Sequence, residues 1–254
     1  MSATPDLTPL LHQLRLPTLR ADYRDLADMA RRESWSYEQY LGALLQAEID
    51  GRRTRRIQRL LSQSNLPADK TLATLDLELL PASVRPHLGS LLEGDFLTRA
   101  QNLLLIGLPG RGKTHLACAI GRELIVRHAV SVKYTTTFTL IQALIAAKAE
   151  YRIDRLLRSL DQHELIIIDE LGYVQQSREE MELLFTLLSE RYERKSLLLT
   201  SNLVFSEWER VFQDAMMTAA AVDRLVHHSI ILQMTGPTRR DPRAQGVASP
   251  EAKQ

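Results

Sequence analysis

The chain has 254 residues, 44% of them hydrophobic and 25% charged, which is enough for a sizeable buried core and ordinary for a soluble globular protein. Its 32 basic and 31 acidic side chains nearly cancel, so bulk charge argues for neither a nucleic acid nor a membrane, and any such case rests on local clustering. The single cysteine, Cys118, excludes a disulfide framework and a thiol-rich metal site.

The segment from Met1 to Leu11 lacks the basic-then-apolar layout of a signal peptide. No apolar run approaches the ~20 residues that a membrane helix needs, so a cytoplasmic location without membrane contact is expected. From Leu7 to about Leu61 the pattern is helical and rich in arginine. Ser36 and Gln39 have the spacing of a capping box, and Tyr37, Tyr40, Leu41, Leu44 and Leu45 recur at helical spacing as one apolar face. Further along that helix stand Arg52, Arg53, Arg55, Arg56 and Arg59. Arg52, Arg56 and Arg59 share a face, with Arg53 beside it. Such a stripe can follow the backbone of double-stranded DNA largely independently of sequence, since no aromatic interleaving or base-reading motif accompanies it. The same residues also fit a solvated face that ion-pairs with Glu48 and Asp50 one turn upstream.

The stretch from Ser62 to Arg99 is punctuated by Pro67, Pro81, Pro86, Gly89 and Gly94 and reads as a connector with short helical pieces. The expected organisation is a helical domain over 1–66 and a connector over 67–100. From Gln101 the chain alternates strands and helices. Strands are predicted at Asn102–Ile106, Val130–Thr136, Leu165–Asp169, Leu197–Ser201 and Ser229–Met234. Helices are predicted at Lys113–His128, Phe138–Leu160 and Glu179–Arg194, with an Ala-rich helical stretch at Met216–Val222. Apolar strands alternating with helices predict an α/β domain over 101–235, a parallel five-stranded sheet between helices. Residues 236–254 have no periodicity and are expected to form a disordered tail.

Gly107-Leu108-Pro109-Gly110-Arg111-Gly112-Lys113-Thr114 matches the phosphate-binding loop G-x-x-x-x-G-K-[ST] and lies between a predicted strand and a predicted helix, the context the motif requires. The glycines let backbone N–H groups turn inward as an anion nest, and the following helix adds the positive end of its dipole. Lys113 is placed to reach the β and γ phosphates of ATP, and the Thr114 hydroxyl to ligate Mg²⁺. His115 closes the nucleotide-contacting stretch, although its residue type points to packing or capping. Leu165-Ile166-Ile167-Ile168-Asp169-Glu170 is a buried strand ending in carboxylates. In this fold they land beside the phosphate loop, Asp169 to hold the Mg²⁺ shell and Glu170 to deprotonate the attacking water. Asn202, at the end of the fourth strand, suits the γ-phosphate or that water, and equally suits a turn. Arg224, after Asp223, fits either a transition-state cation supplied to a neighbouring subunit or a surface ion pair. Together these residues make the chain an expected Mg²⁺-dependent ATPase.

The phosphate loop, Asp169-Glu170-Leu171-Gly172-Tyr173, Asn202, Phe205-Ser206-Glu207-Trp208 and Asp223-Arg224-Leu225-Val226-His227-His228 together resemble an AAA+ ATPase of the initiator and helicase-loader branch. They are more similar still to IstB-like proteins, the ATP-binding helpers of insertion-sequence transposases. The resemblance covers nearly the whole chain. It implies ATP-dependent assembly on DNA as a homo-oligomer with ATP at subunit interfaces, and recruitment or stimulation of a partner transposase. A replicative-helicase loader, with the same core and a helicase partner, is the alternative. It also implies an arginine-finger role for Arg224 across a subunit interface and a DNA role for the Arg52–Arg59 cluster. Gly236-Pro237-Thr238-Arg239-Arg240 stands where such proteins carry Gly-x-Ser-x-Arg, whose arginine senses nucleotide. Thr238 replaces the serine, and Arg240 is the arginine in register, with Arg239 competing.

Overall fold

The computed structural model describes residues 6–173 and 177–235, and the chain divides into two compact units at Arg59 and Leu60. The first unit holds α1 (Thr8–Gln13), α2 (Pro17–Arg32) and most of α3 (Tyr37–Gln63). Pro17 opens α2, where its missing N–H is no loss. The capping box opens α3: Gln39 N–H donates to Ser36 Oγ at 3.2 Å, and Ser36 N–H to Gln39 Oε1 at 2.7 Å. The apolar face expected on α3 splits into two rows. Tyr40 and Leu44 pack on Leu19 and Tyr23 of α2, whereas Tyr37, Leu41, Leu45 and Ile49 are exposed. Tyr40 and Leu44 are each followed directly by a member of the other row, Leu41 and Leu45, and one residue is a rotation of about 100° around a helix, so both rows cannot face the same neighbour.

Glu48 continues the buried row, and its carboxylate accepts the Thr18 and Leu19 N–H groups at 2.9 and 3.2 Å. These are orphan donors of the first turn of α2. Arg52 Nε and Arg55 Nη2 donate to the other oxygen at 2.9 and 3.1 Å. Burial works against the charged form, yet the Leu19 and Thr18 amides and the Arg52 guanidinium together hold the Glu48 carboxyl below the usual glutamate value.

The second unit contains, in chain order, a 3₁₀ turn at Arg85–His87, α4 (Leu88–Glu93), α5 (Asp95–Thr98), β1 (Asn102–Ile106), α6 (Lys113–His128), β2 (Val132–Thr136), α7 (Thr137–Ala149), α8 (Ile153–Leu160), β3 (Leu165–Leu171), α9 (Arg178–Arg191), β4 (Ser196–Ser201), a 3₁₀ turn at Phe205–Glu207, α10 (Glu209–Phe212), α11 (Ala215–Val226) and β5 (Ser229–Gln233). The strands form one sheet in the order β2-β3-β4-β1-β5, with every pairing parallel. The five-stranded parallel sheet read from the sequence is therefore the fold observed. β1 and β4 are buried throughout, and β3 at all but Glu170, as strands covered on both faces must be. No helix among the described residues is long and apolar enough to cross a membrane.

Several predicted boundaries move, and two of the changes have a visible cause. The helix expected over Phe138–Leu160 is two helices, α7 and α8, separated at Tyr151, whose φ is +55°. Arg152 N–H bonds Ala147 O and Tyr151 N–H bonds Lys148 O, the paired bonds of a Schellman stop. The third strand runs two residues beyond Asp169, to Leu171, through a register shift against β4. At the opposite end of the sheet, the buried Arg191 guanidinium donates to the Leu160, His163, Glu164 and Ser196 carbonyls, joining the starts of β3 and β4. Burial lowers its pKa to about 10, against the opposing pull of Asp161.

Candidate functional site

The C-terminal ends of β1, β3 and β4 open onto a cleft of about 540 Å³. One wall is the loop from β1 to α6. Gly107 lies so close to the chain leaving β5 that a Cβ there would sit 2.3 Å from the Met234 carbonyl oxygen. Gly112 caps α6 with φ +82°, a conformation that any other residue would hold under strain. Pro109, Gly110, Arg111, Gly112, Lys113 and Thr114 all line the cleft. Lys113 Nζ donates back to the Gly107 and Leu108 carbonyls at 2.5 and 2.9 Å. Half-burial lowers its pKa, an effect that Asp169 and Glu170 oppose and Arg111 reinforces.

Asp169 forms the floor and is 2% exposed. Three hydroxyls converge on its carboxylate: Thr114 Oγ1 at 3.0 Å and Thr200 Oγ1 at 2.5 Å on Oδ1, and Tyr134 on Oδ2 at 2.8 Å. Burial, with Asp169 reinforcing, pushes the Tyr134 hydroxyl pKa well above its usual value, so this group stays a donor. Glu170 sits on the β3 bulge with φ +64°. A bulge re-aims a side chain, and here the residue after the buried Asp169 is exposed at the cleft. Its N–H donates to Thr200 Oγ1 at 2.9 Å, so one threonine fixes both the Asp169 carboxylate and the Glu170 backbone.

Two atoms in the cleft-lining residues have chemistry left over. Asn202 Oδ1 and Arg111 Nη1 are buried with no hydrogen-bond partner among the described residues. Buried polar atoms are nearly always paired, so a polar ligand in the cleft suits the site. The cleft thus gathers Lys113, Thr114, Asp169, Glu170 and Asn202 of the sequence reading. His115 also borders it, with Nε2 at 3.1 Å from Thr74 Oγ1 and 3.0 Å from Thr71 O, turned toward the connector. Sequence reasoning did not find Tyr134, Thr200, Lys70 or Tyr173, which also line the cleft. Only Thr200 carried a signal, a hydroxyl interrupting an apolar strand two residues before Asn202.

Arg224 is not among the residues lining the cleft. It lies in the last turn of α11, with Cζ 4.6 Å from the centre of the Phe185 ring on α9. Asn102 Nδ2 holds the same helix end by bonding Leu225 O at 3.2 Å. Arg52, Arg53, Arg55, Arg56 and Arg59 are exposed on α3 of the first unit. The ion pair with Glu48 weighed from the sequence is present for Arg52 and extends to Arg55. Arg239 and Arg240 lie outside the described residues.

A family model described as IstB-like ATP binding protein matches residues 9–245. The chain is 41% identical to a putative insertion sequence ATP-binding protein of Sinorhizobium fredii, over 89% of this chain and 76% of that one. It is 37% identical to the insertion sequence IS21 putative ATP-binding protein of Pseudomonas aeruginosa, over 95% and 92%. Among solved structures it is similar to AMPPCP-bound DnaA from Aquifex aeolicus, with a TM-score of 0.56 and 19% identity, over 68% of this chain and 51% of that one. That likeness shows the fold alone, and the chain spans about half the length of that initiator.

Proposed function

Because this chain belongs to the IstB-like ATP-binding protein family, with the AAA+ fold, we propose that it hydrolyses ATP while assembled as a homo-oligomer on double-stranded DNA. There it recruits or stimulates the transposase of an insertion sequence. The observation that carries this reading is the division of labour in the second unit. Lys113, Thr114, Asp169, Glu170 and Asn202 meet at one cleft, while Arg224 stands outside it on a helix end held by Phe185 and Asn102. A site with nucleophile-activating carboxylate and phosphate loop, lacking its finger, is completed when a second copy presents Arg224.

In this site Lys113 leaves the loop carbonyls for the phosphate oxygens, and Asn202 Oδ1 orients the attacking water, whose proton passes to the Glu170 carboxylate. Thr114 Oγ1 and Asp169 Oδ1, 3.0 Å apart, would hold Mg²⁺, which when bound would neutralise phosphate charge. The Arg52–Arg59 stripe contacts the DNA backbone, so affinity falls steeply with added salt. Glu48 helps to orient Arg52 and Arg55 for that contact.

The test of the whole reading is light scattering of the full chain with ATP and duplex DNA. Size should increase when both are present and return to that of the starting species as ATP is consumed. A size indifferent to ATP sinks the proposal, and absence of phosphate release with and without DNA would make the chain a nucleotide-binding scaffold instead. Tyr134 supplies a second prediction. Tyr134→Phe removes one donor from the Asp169 carboxylate and should raise the Mg²⁺ concentration for half-maximal turnover about tenfold. Turnover at saturating Mg²⁺ should stay near wild type; equal loss at every Mg²⁺ concentration would mean that Tyr134 does not act through Asp169.

A further inference from the structure

Taken alone, the sequence gives His227 and His228 no third ligand, and a metal site is not expected there. The fold supplies one. β4 and β5 flank β1 in the parallel sheet, so the turn before β4 and the junction before β5 meet at the same end, opposite the cleft. Glu193 lies in that turn, with φ +55°, and His227 and His228 make up that junction. A carboxylate oxygen of Glu193 is 3.4 Å from His228 Nε2 and 3.9 Å from His227 Nδ1. All three donor atoms lie within 4.8 Å of one another and are exposed.

We propose that Glu193, His227 and His228 form a zinc(II) site on the surface of the ATPase unit. Two imidazoles and a carboxylate are a borderline-soft donor set that suits zinc over magnesium or calcium. Ligands about 2.0–2.1 Å from a tetrahedral ion stand roughly 3.3 Å apart, so small rotations of two exposed rings complete the geometry. The backbones that carry them are already fixed. His228 O accepts Asn102 N–H of β1 at 2.7 Å, His227 N–H bonds Asp223 O, and the Glu193 turn is closed by Arg194 and Lys195 N–H groups on Arg191 O. The Tyr192 hydroxyl, 3.0 Å from His227 Nδ1, is placed to turn to the Glu193 carboxylate or to a metal-bound water when the ion enters. The fourth position faces solvent. Bound zinc ties the start of β4 to the end of α11, the helix that carries Arg224.

The experiment uses the full chain without a polyhistidine tag and without nucleotide or DNA, so its result is independent of the proposed ATPase cycle. Titration with zinc chloride by calorimetry should show one equivalent bound per chain. Glu193→Gln and His228→Gln should each weaken binding by at least about tenfold, while His12→Gln, at an exposed histidine of the first unit, should leave it unchanged. Cobalt(II) in wild-type protein should give the intense visible absorption of a four-coordinate ion. Binding no weaker in the Glu193 and His228 variants, or a pale six-coordinate cobalt spectrum, overturns the site. The cobalt measurement needs no variant, so it decides the matter even if a substitution unfolds the chain.

Discussion

Arg224→Ala should lower DNA-stimulated ATP turnover about a thousandfold, the lower end of what an arginine finger contributes, with ATP affinity within a few-fold of wild type. The selectivity follows from position. Arg224 is outside the cleft of its own subunit, so ground-state binding there does not use it. Its guanidinium is stacked on the Phe185 ring, which leaves the edge donors available to phosphate oxygens of another copy. Action in trans has a further signature. An equal mixture of the Arg224→Ala and Lys113→Ala chains should recover part of the turnover that neither has alone, because one offers an intact loop and the other an intact finger. Full turnover by Arg224→Ala with ATP bound, or no recovery in the mixture, removes the finger assignment.

Lys113→Ala should weaken ATP binding roughly a hundredfold, the equivalent of about 2–3 kcal/mol for a charged hydrogen bond to phosphate. It should also abolish the ATP-dependent increase in size on DNA. Among the described residues the lysine bonds only the Gly107 and Leu108 carbonyls of its own loop, and the core beneath is formed by other residues, so the melting temperature should hold. Filter binding, light scattering and thermal melting on one preparation separate these effects. If Lys113→Ala assembles on DNA with ATP as well as wild type does, nucleotide does not switch the assembly.

The strands and the phosphate loop were legible because their signals are local. Leu103 to Ile106 and Ile166 to Ile168 are continuous apolar runs, and the loop announces itself by residue type at fixed offsets. Where the outcome depends on distant partners, the sequence is silent. Tyr151 ends α7 in a left-handed conformation that glycine or asparagine would have advertised, and its own side chain gives no hint. Tyr134 and Thr200 reach Asp169 only because β2 and β4 flank β3. Glu48 was weighed as an ion-pair partner of the arginines, but its capping of α2 arises from the pairing of two helices. Tyr37, Leu41 and Leu45 read as part of one apolar face with Tyr40 and Leu44 because periodicity reports a face without reporting what lies opposite.

Glu170 has a consequence for anyone who mutates this protein at random. A glutamate held at φ +64° is disfavoured by about 1 kcal/mol relative to glycine, with asparagine intermediate. Libraries sorted for heat resistance should therefore accumulate Gly or Asn at position 170. Each such winner would have discarded the carboxylate proposed to take the proton of the attacking water, so under that proposal thermal selection and catalytic selection pull this one codon in opposite directions.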